Sequence, residues 1–403
     1  ADIGGERVAY GFLCGRDYDT TKYVSNNLCG FDLLRERKKA MSFKPQSKTG
    51  AGLTIGIPAA LHLYEDLALW RKFFNLLGIK TVTSEKYSTA IKEGKQISGA
   101  EFCAPMTALH GHIKYLLTDT AGDAGVDFIF MPFYFEKKVN EKGLRRQYCY
   151  YTQFSPAVTS AAVGRLKDIQ SSANKILMPL ANYLYSTFHT KVELYRMLKS
   201  ISKTPIGFLE VAAAYDSALE FKKSAQLKLK KIYKRRLTET GKDIHVVLLG
   251  RPYTVLCPHM NKGIPDIFAS LGIKAFYQDM LSYSGQDVAS IQPLLSELHW
   301  HYAANILEAA EVIAQSKDAY PVLITSFKCS PDSFVVDYFK KIMESHAKPY
   351  LILQLDEHDA TTGYETRIEA AVRSFKNHHS TADAAKLPIS TPALMPDREK
   401  DLT

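Results

Sequence analysis

The sequence has no apolar run approaching the roughly 18 residues needed to span a bilayer, and no basic stretch followed by an apolar one near its start. Both absences point to a cytoplasmic protein without a membrane partner. It also lacks G-x-x-x-x-G-K-[ST], G-x-G-x-x-G after a strand, G-x-S-x-G and H-E-x-x-H. A P-loop ATP site is thereby excluded, and a nicotinamide fold is disfavoured. Zinc-finger spacing and RNA-binding aromatic signatures are missing too, so no nucleic-acid partner is expected. Cysteine is scarce, with six in 403 residues and no C-x-x-C pair. Such wide spacing is unlike the disulfide framework of a small secreted domain and fits a reducing compartment, with thiols that are buried or bound to metal.

What the chain does have is bulk: 46% hydrophobic residues over 403 positions can bury two ordinary cores and a smaller accessory unit. The net charge of +9 is modest for that length. Much of it lies between Lys222 and Arg236, where Ala225, Leu227, Leu229 and Ile232 interleave with lysines and arginines. A basic amphipathic helix of this kind is either a solvated face or a docking face for nucleic acid, an acidic protein or a phosphorylated cofactor.

An internal duplication organises the chain. Gly56-Ile57-Pro58 matches Gly250-Arg251-Pro252, and Leu77-Gly78-Ile79-Lys80 matches Leu271-Gly272-Ile273-Lys274 at the same separation; Glu85 and Ser88 then match Asp279 and Ser282. Two similar α/β halves follow. Each alternates strands with helices, Leu53 to Ile57, Lys80 to Thr83 and Phe128 to Phe133 in the first, Ile244 to Leu249, Lys274 to Tyr277, Tyr320 to Phe327 and Tyr350 to Leu355 in the second. The second half carries extra residues within a long helical pattern from Gln292 to Gln315. The expected fold is α/β, with two flavodoxin-like (Rossmann-like) parallel-sheet domains related by internal duplication and joined by a helical region. The expected divisions are an N-terminal extension over 1–51 holding Cys14 and Cys29, a first α/β domain over 52–155, a helical connector over 156–240, a second α/β domain over 241–376 and a mobile tail over 377–403.

The candidate chemistry lies in the thiols. Cys329 sits where an apolar strand gives way to a helix that starts at Pro331, beside the free N–H groups and positive end of the helix dipole, which favours a thiolate and suits a metal ligand. Cys103, in Phe102-Cys103-Ala104-Pro105, repeats that arrangement in the first half. Cys149 and, more weakly, Cys257 also follow strands or start helices. Ligands gather at the carboxyl ends of strands in open α/β sheets, so four sulfurs from two halves can converge on one cleft and hold zinc or an iron–sulfur cluster. Four ordinary buried cysteines are the alternative. Cys14 and Cys29 are half of a second metal site or free thiols. His110, His112 and His301 are weak candidates as proton donors, while His62 and His245 read as structural; Asp356, Glu357 and His358 end a strand near the expected cleft.

Four stretches resemble the benzoyl-CoA reductase and 2-hydroxyacyl-CoA dehydratase family, in its branch related to acyl-CoA dehydratase activases and double-cubane cluster proteins. They are Ile55 to Pro58, Glu101 to His112, Gly250 to Pro265, and Ser326 to Ser333 with Leu355 to His358 and Thr366 to Glu369. The resemblance implies an iron–sulfur cluster between the two domains, [4Fe-4S] or as large as a double-cubane [8Fe-9S], with Cys103, Cys149 and Cys329 as ligands. Phe133 stands where a further ligand cysteine is expected, and Cys257 is the replacement from the other half. The implied function is an iron–sulfur oxidoreductase component that accepts low-potential electrons from an ATP-hydrolysing activator and passes them to a small substrate, a CoA thioester. That activator is a separate partner or is fused upstream, and a homo-oligomer is allowed. A non-redox zinc-stabilised scaffold or docking subunit is the alternative.

Overall fold

A computed structural model describes residues 2–3, 6–7, 27–45, 52–118, 125–137, 144–166, 170–181, 187–240, 243–355 and 361–384. After a two-residue antiparallel pairing of Asp2–Ile3 with Glu6–Arg7 comes helix α1 (Leu33–Ala40), capped by Asp32, whose side chain accepts from the Arg35 N–H. The first half is built from strand β1 (Thr54–Ile57), helix α2 (Leu61–Leu76), β2 (Lys80–Thr83), α3 (Ala90–Ser98), α4 (Ala104–Thr118), β3 (Phe128–Phe130), α5 (Tyr150–Val163) and β4 (Ile176–Leu177). Its sheet runs β2-β1-β3-β4, all parallel, with Thr54 opposite Lys80 and Ile55 opposite Phe128.

Helices α6 (Thr187–Ile201) and α7 (Phe208–Thr240) lead to the second half. There β5 (His245–Gly250), α8 (Ile264–Ser270), β6 (Lys274–Tyr277), α9 (Gln292–Glu297), α10 (His301–Ala314), β7 (Ala319–Ser326), α11 (Ser330–Ser345), β8 (Leu351–Leu355) and α12 (Thr361–Ala384) follow in order. The second sheet runs β6-β5-β7-β8, parallel throughout, the same order as the first. The duplication is thus a duplication of topology. Gly78 and Gly272 occupy matched positions after α2 and α8 with φ of 71° and 76°, a left-handed conformation that glycine adopts without strain.

Alternation along β5 shows why its run is so apolar. Val246 and Leu248 enter one core with Phe268 and Phe276, whereas Val247 and Leu249 enter another with Leu307 and Phe339. The strand is covered on both faces, as parallel strands require. Helix α7 then ties the halves together, because Val211, Ala214, Tyr215 and Ala218 pack in the first core and Leu229 in the second. Direct bonds join them as well: the Tyr64 hydroxyl donates to the Leu256 carbonyl at 2.8 Å, and that of Tyr302 to Glu65 at 2.9 Å.

Several expectations are corrected. The helix expected from Gln292 to Gln315 is two helices, broken between Leu298 and Trp300, where the buried guanidinium of Arg146 takes the Leu295 and Leu298 carbonyls at 3.0 and 2.6 Å. Its periodicity survives the break, which hides it from pattern reading. The connector expected over 156–240 supplies β4 to the first sheet, since a two-residue strand leaves no legible period. The tail expected to be mobile begins as helix, with α12 running to Ala384 and His378 within 2.9 Å of the buried Tyr320 hydroxyl. Cys14 and the strand-end residues Asp356, Glu357 and His358 lie outside the described residues.

Candidate functional site: a crevice of three thiols

Each of the three thiols stands at a helix start. Cys329 is the N-cap of α11, with Pro331 in its first turn and its carbonyl accepting from the Ser333 N–H at 3.0 Å. The turn before it is tight: Lys328 adopts a φ of 63°, outside the range favoured by side-chain-bearing residues. Cys103 precedes α4, and its carbonyl accepts from Met106 and Thr107, both at 3.0 Å. Cys149 caps α5, with its Sγ 3.2 Å from the Thr152 hydroxyl. An ion pair from Lys328 to Glu101, at 2.8 Å, links the Cys329 turn to the Cys103 turn across the two halves.

The centre of the crevice is a buried charge pair. Arg251 Nε donates to Asp332 at 2.7 Å, with both side chains 2% exposed. Its Nη1 donates to the Tyr253 hydroxyl at 3.1 Å, and its guanidinium carbon lies 5.5 Å from the centre of the Tyr302 ring. Burial alone would discharge this guanidinium, but Asp332 and then the Cys329 thiol hold its affinity for the proton above normal; Tyr253 and Cys149 act in the same direction. Cys103 and Cys329 each feel the other's charge or that of the shared Arg251–Asp332 pair. Cys103, Cys149 and Cys329 are therefore all within electrostatic reach of one buried cation.

The protonation state corrects an expectation. A helix N-terminus favours a thiolate, yet burial is the larger effect here. It raises the Cys103 thiol to about 11 and the Cys329 thiol well above the usual range, with Arg251 pulling Cys329 down and Asp332 pushing it up. In the protein without a bound group both thiols hold their protons at neutral pH.

The other candidates lie elsewhere. Cys257 is shifted to about 11 by burial; the backbone N–H groups of His259 and Met260 and the charge of Glu85 act on it, not the other three thiols. The Cys29 Sγ donates to Asn27 Oδ1 and the Phe31 carbonyl at 3.3 and 3.4 Å, and its side chain packs against the second core. His110 stacks on Phe102 and bonds the Met106 carbonyl through Nδ1 at 2.9 Å. His112 faces Tyr87, and burial lowers its pKa to about 4. His301 packs between Tyr148 and Tyr302 and stays neutral, its pKa pushed to about 3 by burial and then Lys137. His62 and His245 are scaffold, meeting the Pro132 carbonyl at 3.1 Å and the Tyr233 hydroxyl at 3.0 Å. Phe133 packs parallel to Phe135 with ring centres 5.8 Å apart.

Sequence reading missed Arg251 and Asp332 as members of the site. The duplication held the signal for the first, because its counterpart is the apolar Ile57, 0% exposed, so a charge was inserted at a core position. Asp332 was masked by its place in a helical first turn, where an acid is ordinarily satisfied by the helix N–H groups.

Comparison with known families bears on these same residues. The profile of the CoA enzyme activase uncharacterised domain (DUF2229) matches residues 54–281, more than half of the chain. The chain belongs to this CoA enzyme activase family. No curated protein matches. The match runs from β1 to just past β6, so it takes in Cys103, Cys149 and Arg251 and stops short of Cys329 and Asp332. It bears out the kinship with 2-hydroxyacyl-CoA dehydratase systems at the level of their activators. It overturns the expected role: the family is that of the ATP-hydrolysing activator, not of the iron–sulfur component that accepts the activator's electrons. Among the described residues no helix is long and apolar enough to cross a membrane.

Proposed function

We propose that this chain works on the activator side of an ATP-dependent enzyme system for CoA thioesters, and that Cys103, Cys149 and Cys329 hold an iron–sulfur group there. What supports the reading is that three thiols from both halves lie within electrostatic reach of the buried Arg251–Asp332 pair. Among the described residues no three His, Cys, Asp or Glu side chains stand close enough to share a single metal ion. A group in which each sulfur holds a different iron does not require the thiols to stand that close. One further feature fits such a group: Asp332 Oδ2 is buried without a hydrogen-bond partner.

Such a group supplies one-electron chemistry at low potential. The chain's own residues set its surroundings. Loading deprotonates the thiols, and the Arg251 guanidinium offsets the negative charge so created. Tyr253 fixes the guanidinium from its other edge. Helix starts at α4, α5 and α11 direct positive dipole ends toward the crevice. A dehydratase acting on CoA thioesters is the partner of this reading.

Anaerobic reconstitution with iron and sulfide tests it. Wild-type protein should bind about four irons, and Cys103→Ala, Cys149→Ala and Cys329→Ala should each lose iron while remaining folded. ATP-dependent activation of a CoA-thioester dehydratase should fall with the iron. A folded protein that takes up no iron, or that binds zinc at about one per chain instead, contradicts the reading.

A further inference from the structure

Helix α5 is built inside out. Its 14 residues, Tyr150–Val163, include no charged side chain, although a surface helix ordinarily turns charges to water. The face turned inward is polar. Thr152, Gln153, Ser155 and Thr159 are buried. The Gln153 amide donates to the Tyr148 carbonyl at 2.6 Å, and the Ser155 hydroxyl donates at 3.0 Å to the Thr152 carbonyl, which Pro156 leaves without its helical donor. Thr159 Oγ1 is buried with no hydrogen-bond partner among the described residues, an arrangement that costs about 1 to 3 kcal/mol.

The apolar side chains face water instead. Tyr150 is 64% exposed, Tyr151 43% and Phe154 48%, and Ala157 and Ala161 are exposed beyond them. Positions 150, 154, 157 and 161 recur at the four-three-four spacing of a helix-packing seam, with large rings in the first half of the helix and methyl groups in the second. The patch extends past the helix, for Phe102 meets Tyr151 with ring centres 5.3 Å apart and Phe135 meets Phe154 at 6.0 Å. At roughly 200 Å² per ring, the open parts of the three α5 aromatics come to about 300 Å². The flanking rings bring the patch toward the roughly 600 Å² per copy of a small specific interface.

We infer that α5 packs antiparallel against α5 of a second copy of this chain. Under a two-fold axis between residues 155 and 156, Phe154 lies over the partner's Ala157 and Tyr150 over the partner's Ala161, so one register matches both rings to gaps. A second copy is favoured over an unrelated protein because the seam is its own complement. The uncharged face also lets two chains of net charge +9 meet there without setting like charges against each other. Since Cys149 is the N-cap of α5, the pairing brings each thiol crevice beside the C-terminal end of the partner helix.

Sedimentation velocity of the unsubstituted chain over a concentration series tests the inference. The mass should rise from that of one chain to that of two, with a midpoint below about 100 μM. Phe154→Lys and Ala157→Glu should each weaken association by about 10-fold or more, because each buries an unpaired charge in the seam; circular dichroism should show both folds unchanged. Mixed with each other, these two proteins should dimerise again, since the two new charges meet across the axis. Leu227→Lys, at a leucine 60% exposed on α7, should change nothing. Cys329→Ala should dimerise as the unsubstituted chain does, so failure of this pairing and failure of the thiol reading are told apart. The inference is overturned by a chain that stays monomeric up to about 100 μM, by a dimer that Phe154→Lys leaves intact or that Leu227→Lys weakens equally, or by a mixture that does not re-form dimers.

Discussion

Asp332→Asn isolates the charge pair at the heart of the thiol crevice. The substitution keeps the shape of the side chain but leaves the Arg251 guanidinium, 2% exposed, without its anion. Removing one partner of a buried pair costs about 3 to 5 kcal/mol, because the remaining charge cannot be resolvated. The Tyr253 hydroxyl stays as a neutral acceptor, which places the expected loss at the lower end of that range. A second effect runs the other way. Asp332 raises the Cys329 thiol and Arg251 lowers it, so removing the acid leaves Arg251 unopposed and the thiol ionises more readily. Urea unfolding near neutral pH should show the loss, and thiolate absorbance followed against pH should show Cys329 titrating lower than in the wild type. In Arg251→Leu/Asp332→Leu no charge is stranded, and much of the stability should return. A loss below about 1 kcal/mol in Asp332→Asn, or a Cys329 thiol that titrates higher, refutes the reasoning.

Three further outcomes are expected. In Gly111→Val, an added Cβ overlaps the Ala90 carbonyl where α3 and α4 touch, so unfolding midpoints should show a loss of about 1 to 3 kcal/mol; an unchanged midpoint contradicts that packing. Arg37→Ala removes two bonds to Asp279, at 2.6 and 2.8 Å, that pin α1 to the second half, and proteolysis at Lys38 or Lys39 should quicken; an unchanged rate contradicts the pin. Stability should also fall as the pH drops below about 6.5. Burial depresses the folded pKa of His62, His112 and His245 to about 4 and of His301 to about 3, so unfolding takes up protons between the unfolded and folded values. Each histidine then adds a slope of about 1.4 kcal/mol per pH unit; equal stability at pH values of about 6.5 and 5 refutes the neutral buried state.

The fold was legible because both halves repeat the same physical signals. Helix periodicity, an apolar strand and a left-handed glycine recur at Gly78 and Gly272, and each signal acts over a few residues. What escaped reading depends on partners distant in sequence. The break before His301 is held by Arg146, and the strand Ile176–Leu177 exists only through its pairing with β3. The thiol turns at Cys103 and Cys329 announced themselves as strand-to-helix junctions. Their protonation did not, because burial is a property of the assembled crevice rather than of the helix end. The buried charges are a similar case: Lys222 belongs to a basic stretch that reads as a solvated face, and Lys223, Lys228 and Lys231 do face solvent, but one residue of that stretch turns inward to Asp66. The functional side within the enzyme system was not readable from thiols at all; the family match over residues 54–281 decided it.

The account stands on three sulfurs from two halves of the chain facing one another across Arg251. A short bifunctional thiol reagent, applied to the reduced chain after its exposed thiols are capped reversibly, with the bridged peptides mapped by mass spectrometry, measures this directly. The account predicts bridged peptides joining Cys103 to Cys329 or Cys149 and none joining Cys257 or Cys29 to them. Bridges that pair Cys257 with any of the three, or a Cys329 that never bridges to either of the other two, would contradict it.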